Sequence, residues 1–298
     1  MTDAKKDPIA SIRGRLQGRA RAQNINPARF LSAYLLEGLI ARIALSSYNR
    51  QFILKGGLSL YGRYGMISRP TEDIDLSVKA IPNDVDTIKT VFETILGIQV
   101  EDYLEFDGAL KLSVISEDAV YPGVRLEIPV RLGAARDVLQ VDLSFGASIT
   151  PAPGLIQFPT VLNTSTLPIL GYPLETLIAE KFAAACEKGT TTTRLKDFLD
   201  LYTVASQETF FAPVLREAIE RTFAARGTAL ETSRSVFSEE YAQHPGLQQL
   251  WQRFLQRQRL NAPEVFDSVM QSIKAFLEPI FEGSAKRIWR PSKARWED

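Results

Sequence analysis

Two aspartates, Asp73 and Asp75, are the residues of this chain whose type and spacing most clearly suggest chemistry. They belong to the run 73–78, DIDLSV, in which apolar residues alternate with polar ones. Alternate side chains of a β-strand share a face, so the run predicts a strand with both carboxylates on one face and Ile74 and Leu76 in a core. Adjacent carboxylates repel each other unless a cation lies between them, and Mg²⁺ prefers such oxygen ligands together with substrate phosphates. The pair therefore predicts a Mg²⁺ site, with a solvated strand edge as the alternative.

A glycine turn precedes this pair. The apolar run 52–54 predicts a short strand that ends at Gly56 and Gly57. Glycine allows the backbone to turn tightly and to approach a ligand closely. Ser59 follows at the start of a predicted helix, where unpaired N–H groups and the helix dipole favour an anion such as a triphosphate. Ser59 could contact the phosphate or cap the helix. A phosphate-binding turn followed by a metal-binding pair is the layout of a nucleotidyl-transfer site.

Asp142 is the candidate for a third metal-binding carboxylate. In the run 138–145, VLQVDLSF, the apolar residues alternate, which leaves Asp142 on the polar face of a predicted strand. In-line transfer with two metal ions requires one carboxylate more than the aspartate pair supplies, close to the incoming nucleophile. Glu127 on the preceding strand is the rival. Because Arg125 and Arg131 share its face, we interpret Glu127 as a cross-strand salt-bridge partner.

The stretch 55–78, KGGLSLYGRYGMISRPTEDIDLSV, resembles the signature of the nucleotidyltransferase superfamily that includes polymerase beta. That signature is a glycine turn, a short helix and Asp-x-Asp on the next strand. The leading Lys55, the KGG turn and the RPTEDID run resemble, more narrowly, the AbiEii/AbiGii-type nucleotidyltransferase toxins. The superfamily often has Ser at the second turn position, whereas here the hydroxyl comes two residues later. The resemblance also implies an acidic residue on a later strand before a small-residue turn, which Asp142 and the pair Phe145-Gly146 match.

Two segments of the second half also resemble the toxin family, AEKFAAACEKG with Lys181 and RLKDFLDLY with Lys196 and Asp197. The resemblance implies that a Lys on one helix and a Lys-Asp pair at the start of the next face the carboxylates. Lys181 would then hold the triphosphate as a point charge, with Lys196 as a further nucleotide-binding residue. Asp197 would orient a base, the ribose or the acceptor. The alternative is a solvated Lys181 and surface ion pairs among Arg194, Lys196, Asp197 and Asp200.

The counts of charged, cysteine and histidine residues limit the kinds of site that this chain can form. Lys and Arg total 35 and Asp and Glu total 35, so the formal net charge is zero and any nucleic-acid contact must come from local basic patches. Cys186 is the only cysteine and His244 the only histidine, which excludes an intramolecular disulfide and a Cys/His zinc site. The N-terminus lacks the apolar run of a secretory signal, and the most apolar helix is too short to span a bilayer. We therefore expect a cytoplasmic protein with no membrane partner.

The hydrophobic pattern predicts an α+β fold. We expect a polymerase-beta-like nucleotidyltransferase lobe with a mixed or antiparallel sheet at residues 1–165, and an all-helical lobe at 166–298 that closes the active-site cleft. The Pro-, Thr- and Ser-rich segment 147–168 predicts a linker. Further predicted helices are 8–23, 26–46, 84–97, 174–185, 195–202, 210–225, 237–255 and 263–281, and further predicted strands are 109–115, 124–132 and 138–145.

The C-terminal segment 285–298, AKRIWRPSKARWED, combines basic residues with Trp289 and Trp296. Such a segment could grip phosphates and stack on an unpaired base. It could equally dock its tryptophans on the helical lobe. The pattern does not distinguish these interpretations.

These observations predict Mg²⁺-dependent transfer of a nucleoside monophosphate from an NTP to an acceptor hydroxyl, with release of pyrophosphate. Asp73, Asp75 and Asp142 would hold two Mg²⁺ ions. The resemblance implies the toxin of a toxin–antitoxin or phage-defence system, with a cognate antitoxin as partner and the 3′ end of tRNA as acceptor. The alternatives are transfer to a protein or small-molecule hydroxyl, and an NTP-binding regulatory module without turnover.

Overall fold

The computed structural model describes residues 7–65, 71, 73–115, 123–163, 165–258 and 262–298. Residues 66–70 and Glu72, which are part of the RPTEDID signature run and the loop before it, lie outside the described residues. The chain divides into two compact units, one formed by residues 1–147 and 154–171 and the other by residues 148–153 and 172–298. No helix in the described ranges is long and apolar enough to cross a membrane.

The first unit is built on a seven-stranded mixed sheet. Its helices are α1 (Pro8–Ala22), α2 (Pro27–Leu45), α3 (Gly56–Tyr64) and α4 (Val85–Leu96). Its strands are β1 (Phe52–Lys55), β2 (Asp73–Val78), β3 (Lys111–Ile115), β4 (Gly123–Leu132), β5 (Ala135–Phe145), β6 (Gly154–Pro159) and β7 (Thr166–Gly171). The strand order is β3-β4-β5-β2-β1-β7-β6, with β2–β5 and β1–β7 parallel and the other neighbours antiparallel. The predicted α+β fold with a mixed sheet is confirmed.

The core of this unit follows the alternation of its strands. Leu54, Leu76 and Leu143 are fully buried, or nearly so, at paired positions of β1, β2 and β5, and they form one cluster with the apolar stripes of α1, α2 and α4. Since neighbouring residues of a strand point to opposite faces, the residues between these leucines are turned away from this cluster. The core thus fixes which side chains of β2 and β5 are available for chemistry.

The segment 147–168, predicted as a linker, is structured in its second half. Its residues 154–159 form β6, and β7 begins at residue 166, pairs with β6 and adds to β1 as a parallel neighbour. Ile156 and Phe158 are buried in the core of the first unit. The linker prediction is therefore wrong for these residues, and residue 165, after which we expect the domain boundary, lies in the turn of the β6–β7 hairpin.

The second unit is mainly helical. Its helices are α5 (Leu174–Lys188), α6 (Leu195–Gln207), α7 (Ala212–Arg226), α8 (Ser233–Val236), α9 (Glu239–Ala242), α10 (Pro245–Gln258) and α11 (Phe266–Glu282). The single helix predicted over 237–255 is wrong, because the chain turns between α9 and α10 and Pro245 begins a new helix. Proline at the first helical turn starts a helix at no cost in hydrogen bonds.

The C-terminal segment docks on this unit. It forms β9 (Ile288–Arg290) and β10 (Arg295–Glu297), which join β8 (Phe210–Phe211) in a three-stranded sheet, so the unit is not wholly helical as predicted. Trp289 and Trp296 are buried, and their indole N–H groups donate to backbone carbonyl oxygens of α6 and α11. The structure therefore agrees with the interpretation in which both tryptophans dock on the helical unit.

Candidate active site

A row of charged side chains crosses four neighbouring strands of the first unit. The strand register pairs β1 with β2, β2 with β5 and β5 with β4, so that the row consists of Lys55, Asp75, Asp142 and Arg125 in that order. Residues paired across neighbouring strands point to the same face of a sheet. The row therefore carries two adjacent carboxylates, flanked on each side by one basic side chain. Asp73, paired with Gln140, shares the face and lies two residues before Asp75 on β2.

The glycine turn lies against Asp75. β1 leads directly into α3 at Gly56, whose φ of +64° is a conformation that L side chains rarely adopt. A Cβ added at Gly56 would lie 2.0 Å from Oδ2 of Asp75. Gly56 is thus required twice, for its backbone conformation and for the space that the carboxylate fills. The predicted turn and the predicted aspartate are brought together.

Ser59 does not have one of its two expected roles, that of helix cap. Ser59 is the fourth residue of α3 and is fully buried. It does not cap the helix, because the N-cap residue is Lys55. Among the described residues its hydroxyl has no hydrogen-bond partner. Gly57 is also buried, in the first turn of α3. The capping interpretation is wrong, and contact between Ser59 and phosphate stays a prediction.

Asp142 forms a salt bridge with Arg125, which the sequence pattern pairs with Glu127 instead. Arg125 donates from Nε to Oδ1 of Asp142 at 2.7 Å and from a terminal nitrogen to Oδ2 at 2.8 Å. Glu127 lies instead within 3.8 Å of Lys111, and Arg131 pairs with Glu105 and Asp107. The predicted salt bridge between Glu127 and these arginines is wrong, because in the register of β4 and β5 Arg125 lies opposite Asp142 and Glu127 lies opposite Gln140.

The second unit contains its own buried charge cluster. Nζ of Lys181 on α5 lies 2.6 Å from Oδ1 of Asp197 and 2.8 Å from Oδ2 of Asp200, both on α6. Arg194, just before α6, donates to the other oxygen of Asp197 at 2.8 Å. Both aspartates are 2% exposed, so the alternative of surface ion pairs is wrong for them. Lys196 is exposed on α6 and is not part of this cluster.

The electrostatics of this cluster favour the ionised form of Asp197. Burial alone would raise the pKa of its carboxyl group, but the neighbouring charges of Lys181 and Arg194 and their hydrogen bonds outweigh burial and lower the pKa to about 2. Asp197 lies in the first turn of α6, where the helix dipole also favours a negative charge. At neutral pH Asp197 is therefore a carboxylate, held between the side chains of Lys181 and Arg194.

The sequence does not identify four residues of these two clusters as site candidates. Its pattern assigns Arg125 to Glu127 and shows Lys55 only as the start of a signature. It places Arg194 and Asp200 among surface pairs. The turn between β4 and β5 indicates the partner of Arg125. Leu132 pairs with Ala135 across two residues, and this pairing fixes every other pair of the hairpin, including that of Arg125 with Asp142.

The donor set of the first unit suits a hard divalent ion. Asp73, Asp75 and Asp142 offer only oxygen atoms, and the Gly56 backbone leaves room for the Asp75 carboxylate. In the part of the chain that the structure describes, no three His, Cys, Asp or Glu side chains are grouped as a ready set of metal ligands. The three aspartates share one face of two adjacent strands, but Arg125 engages both oxygens of Asp142.

Comparison with known proteins finds one matching family and solved structures of similar fold. Residues 38–278 match the family model described as "Nucleotidyl transferase AbiEii toxin, Type IV TA system". No curated protein matches the chain. Two solved structures from Helicobacter pylori are similar in fold, each covering 87% of this chain with a TM-score of 0.52. One is a candidate nucleotidyltransferase, 13% identical, matched over 97% of its own length, and the other is JHP933, 14% identical, matched over 94%.

Proposed function

The chain belongs to the AbiEii family of nucleotidyltransferase toxins of type IV toxin–antitoxin systems, and we propose that it transfers a nucleoside monophosphate from an NTP to the 3′ end of tRNA. Nucleotidyl transfer and an antitoxin partner come with the family. Dependence on Mg²⁺, the tRNA acceptor and a role in phage defence are our proposal. The observation that carries it is the register that places Asp75 and Asp142 at paired positions beside the Gly56 turn.

In the proposed reaction the acceptor oxygen attacks the α-phosphorus of the NTP. A P–O bond forms to the acceptor, the bond between the α-phosphorus and the bridging oxygen breaks, and pyrophosphate leaves with the electron pair. Asp73, Asp75 and Asp142 would hold two Mg²⁺ ions through their carboxylate oxygens, and Asp142 would also accept the proton of the attacking hydroxyl. Bound divalent ions supply charge stabilisation for the attacking and leaving oxygens. Gly56 and Gly57 let the backbone approach the triphosphate at the start of α3.

Lys181 and Asp197 are proposed to contribute to the same reaction, Lys181 as a cation for the triphosphate and Asp197 as an orienting group. Support comes from their burial and from the short contacts with Asp200 and Arg194, which fix the ammonium group in one place. A buried charge cluster of this kind is costly to form unless each charge is paired. Lys196, which is exposed, and Ser59, which is fully buried, are two further proposed nucleotide contacts.

The test is transfer of label from each α-³²P NTP to bulk tRNA, with Mg²⁺ or with EDTA. We expect one NTP to label tRNA in a Mg²⁺-dependent manner, and Asp75→Asn and Lys181→Met to abolish labelling. Asp86→Asn is the matched control, because Asp86 is an exposed aspartate in the first turn of α4. It should leave the rate unchanged.

The alternatives are separate outcomes of the same experiment. Label on a protein band or on an added small hydroxyl compound, with none on tRNA, would replace the acceptor but keep the chemistry. Tight NTP binding without pyrophosphate release would indicate a regulatory module. Because NTPs and tRNA are both cytoplasmic, we propose that the enzyme acts in the cytoplasm.

A further inference from the structure

Arg125 forms the most specific side-chain contact of the candidate active site. Two of its nitrogens meet the two oxygens of Asp142 at 2.7 and 2.8 Å, the parallel two-bond geometry that only a guanidinium can offer a carboxylate. The Asp142 side chain is 11% exposed and that of Arg125 is 33% exposed. The contact is therefore shielded from water on the carboxylate side and reachable from solvent on the arginine side.

The formal charges of the row of four paired side chains across β1, β2, β5 and β4 sum to zero. Lys55 and Arg125 carry two positive charges, and Asp75 and Asp142 between them carry two negative charges. A carboxylate has about four lone-pair positions, of which a two-bond guanidinium contact uses one on each oxygen. Each oxygen of Asp142 thus keeps about one further lone-pair position. A divalent ion that took one of these positions would lie close to the positive charge of Arg125, in a partly buried environment where such repulsion is weakly screened.

We propose that Arg125 is a positioning residue that holds the Asp142 carboxylate and sets the divalent-ion concentration at which Asp142 becomes a metal ligand. The proposal rests on the proposed function, in which Asp142 is the third carboxylate. While Arg125 neutralises Asp142, the affinity of the site for a divalent ion is low. The two-bond contact also fixes the plane of the carboxylate, which keeps its remaining lone pairs directed for the acceptor hydroxyl.

The test uses Mn²⁺ as the probe in the absence of nucleotide, with free Mn²⁺ followed by electron paramagnetic resonance. Arg125→Gln removes the positive charge, and we expect it to bind Mn²⁺ at least about tenfold more tightly than the wild type. Arg131→Gln is the matched control, because Arg131 lies on the same strand and face, in a comparable degree of exposure, and pairs with Glu105 and Asp107. It should change the affinity by less than about twofold.

The transfer assay gives an independent readout. In Arg125→Gln the Mg²⁺ concentration for half-maximal rate should fall, while kcat should also fall, by about tenfold or more, because the Asp142 carboxylate is no longer held in one orientation. A role confined to stability would lower Tm and leave both the Mn²⁺ affinity and the Mg²⁺ dependence unchanged. Arg125→Lys, which keeps the charge but not the two-bond contact, should retain wild-type Mn²⁺ affinity and show only the lower kcat.

The outcomes separate this proposal from the proposed function. If Arg125→Gln binds Mn²⁺ no more tightly than the wild type while the wild-type enzyme labels tRNA, the role of Arg125 is overturned and the function stands. If the wild type binds no Mn²⁺ and transfers no nucleotide, both are overturned. If Arg125→Gln does not fold, Arg125→Met keeps the aliphatic stem, removes the charge, and carries the same expectation.

Discussion

Gly56 and Asp75 constrain each other, and this is the tightest relation in the candidate active site. A methyl group at position 56 would lie 2.0 Å from Oδ2 of Asp75, and the positive φ there disfavours any L side chain. For Gly56→Ala we expect a loss of about 1–3 kcal/mol in the free energy of unfolding from backbone strain. We also expect the transfer rate to fall by about 100-fold, since a displacement of about 1 Å in a catalytic group has effects of that size. Thermal unfolding and the tRNA-labelling assay measure the two effects.

Gly65→Ala separates the two causes. Gly65, at the end of the same helix, has a similar φ of +63°, but a Cβ there has no described neighbour within 4 Å. This variant should show the loss of stability from strain and keep most of the activity. Equal losses of activity in both variants would mean that strain, and not displacement of Asp75, disables the enzyme.

At the scale of single residues, the sequence identified side chains better than it identified their partners. Asp73, Asp75 and Asp142 could be placed on one face because alternation of two residues fixes the face of a strand. Which arginine meets Asp142 depends on register, and register depends on the turn between β4 and β5. For Asp197 and Asp200, helical spacing indicated that they share a face but not that the face is buried against α5.

Glu37 links α2 to the segment before β7, and its protonation should affect stability. Its carboxyl group accepts a hydrogen bond from the backbone N–H of Val161 at 2.5 Å. Burial raises the pKa of Glu37 from the ordinary 4.5 to about 7, opposed by the Val161 hydrogen bond, with Asp102 adding to the rise and Arg19 opposing it. In the folded state the group therefore binds a proton more tightly than in the unfolded state.

The sign of the pH dependence follows from linkage. Between about pH 4.5 and pH 7 the folded state holds more protons on Glu37 than the unfolded state, so its contribution to stability is full at low pH and is lost as pH rises towards 7. We expect Glu37→Gln, which cannot ionise, to be more stable than the wild type at pH 8 by about 3 kcal/mol and nearly equal to it at pH 4.5. Urea unfolding followed by circular dichroism at both pH values measures this. A constant difference across the range would show that Glu37 is not the titrating group.

At the scale of elements, long periodic segments were predicted well and irregular ones were not. The strand β2 and the helices α2 and α4 agree with their predicted ranges within one or two residues at each end. The hairpin of β6 and β7 was missed because Pro159 and Pro168 interrupt a short, Thr-rich sequence, although Ile156 and Phe158 alternate as in a strand. Trp289 is buried where β9 pairs with β8, and Trp296 is buried on β10 against α11; both contacts are with residues outside the C-terminal segment, which local pattern cannot show.

At the scale of the whole chain, chains of low sequence identity share this fold. Two Helicobacter pylori structures share this fold at 13% and 14% identity, so the fold requires a pattern of apolar and turn residues more than particular side chains. The contacts within the two clusters of charged residues depend instead on particular side chains, because the register of a sheet or the facing of two helices sets each contact. This is why the fold could be predicted from periodicity and the site geometry only in part.

The balance of charge over the chain leads to a last prediction. With 35 basic and 35 acidic residues, the protein has no net charge to attract a polyanion, so we expect tRNA to be bound through few phosphate contacts, on the order of two. The apparent affinity for tRNA should then fall by only about tenfold between 50 and 200 mM salt, whereas six to ten contacts would give about 10³–10⁵. Filter binding with the inactive Asp75→Asn variant across a KCl series measures the slope without turnover. A fall of 10³ or more would instead require an extended basic surface, which substitution of exposed arginines such as Arg253 and Arg257 on α10 would then locate.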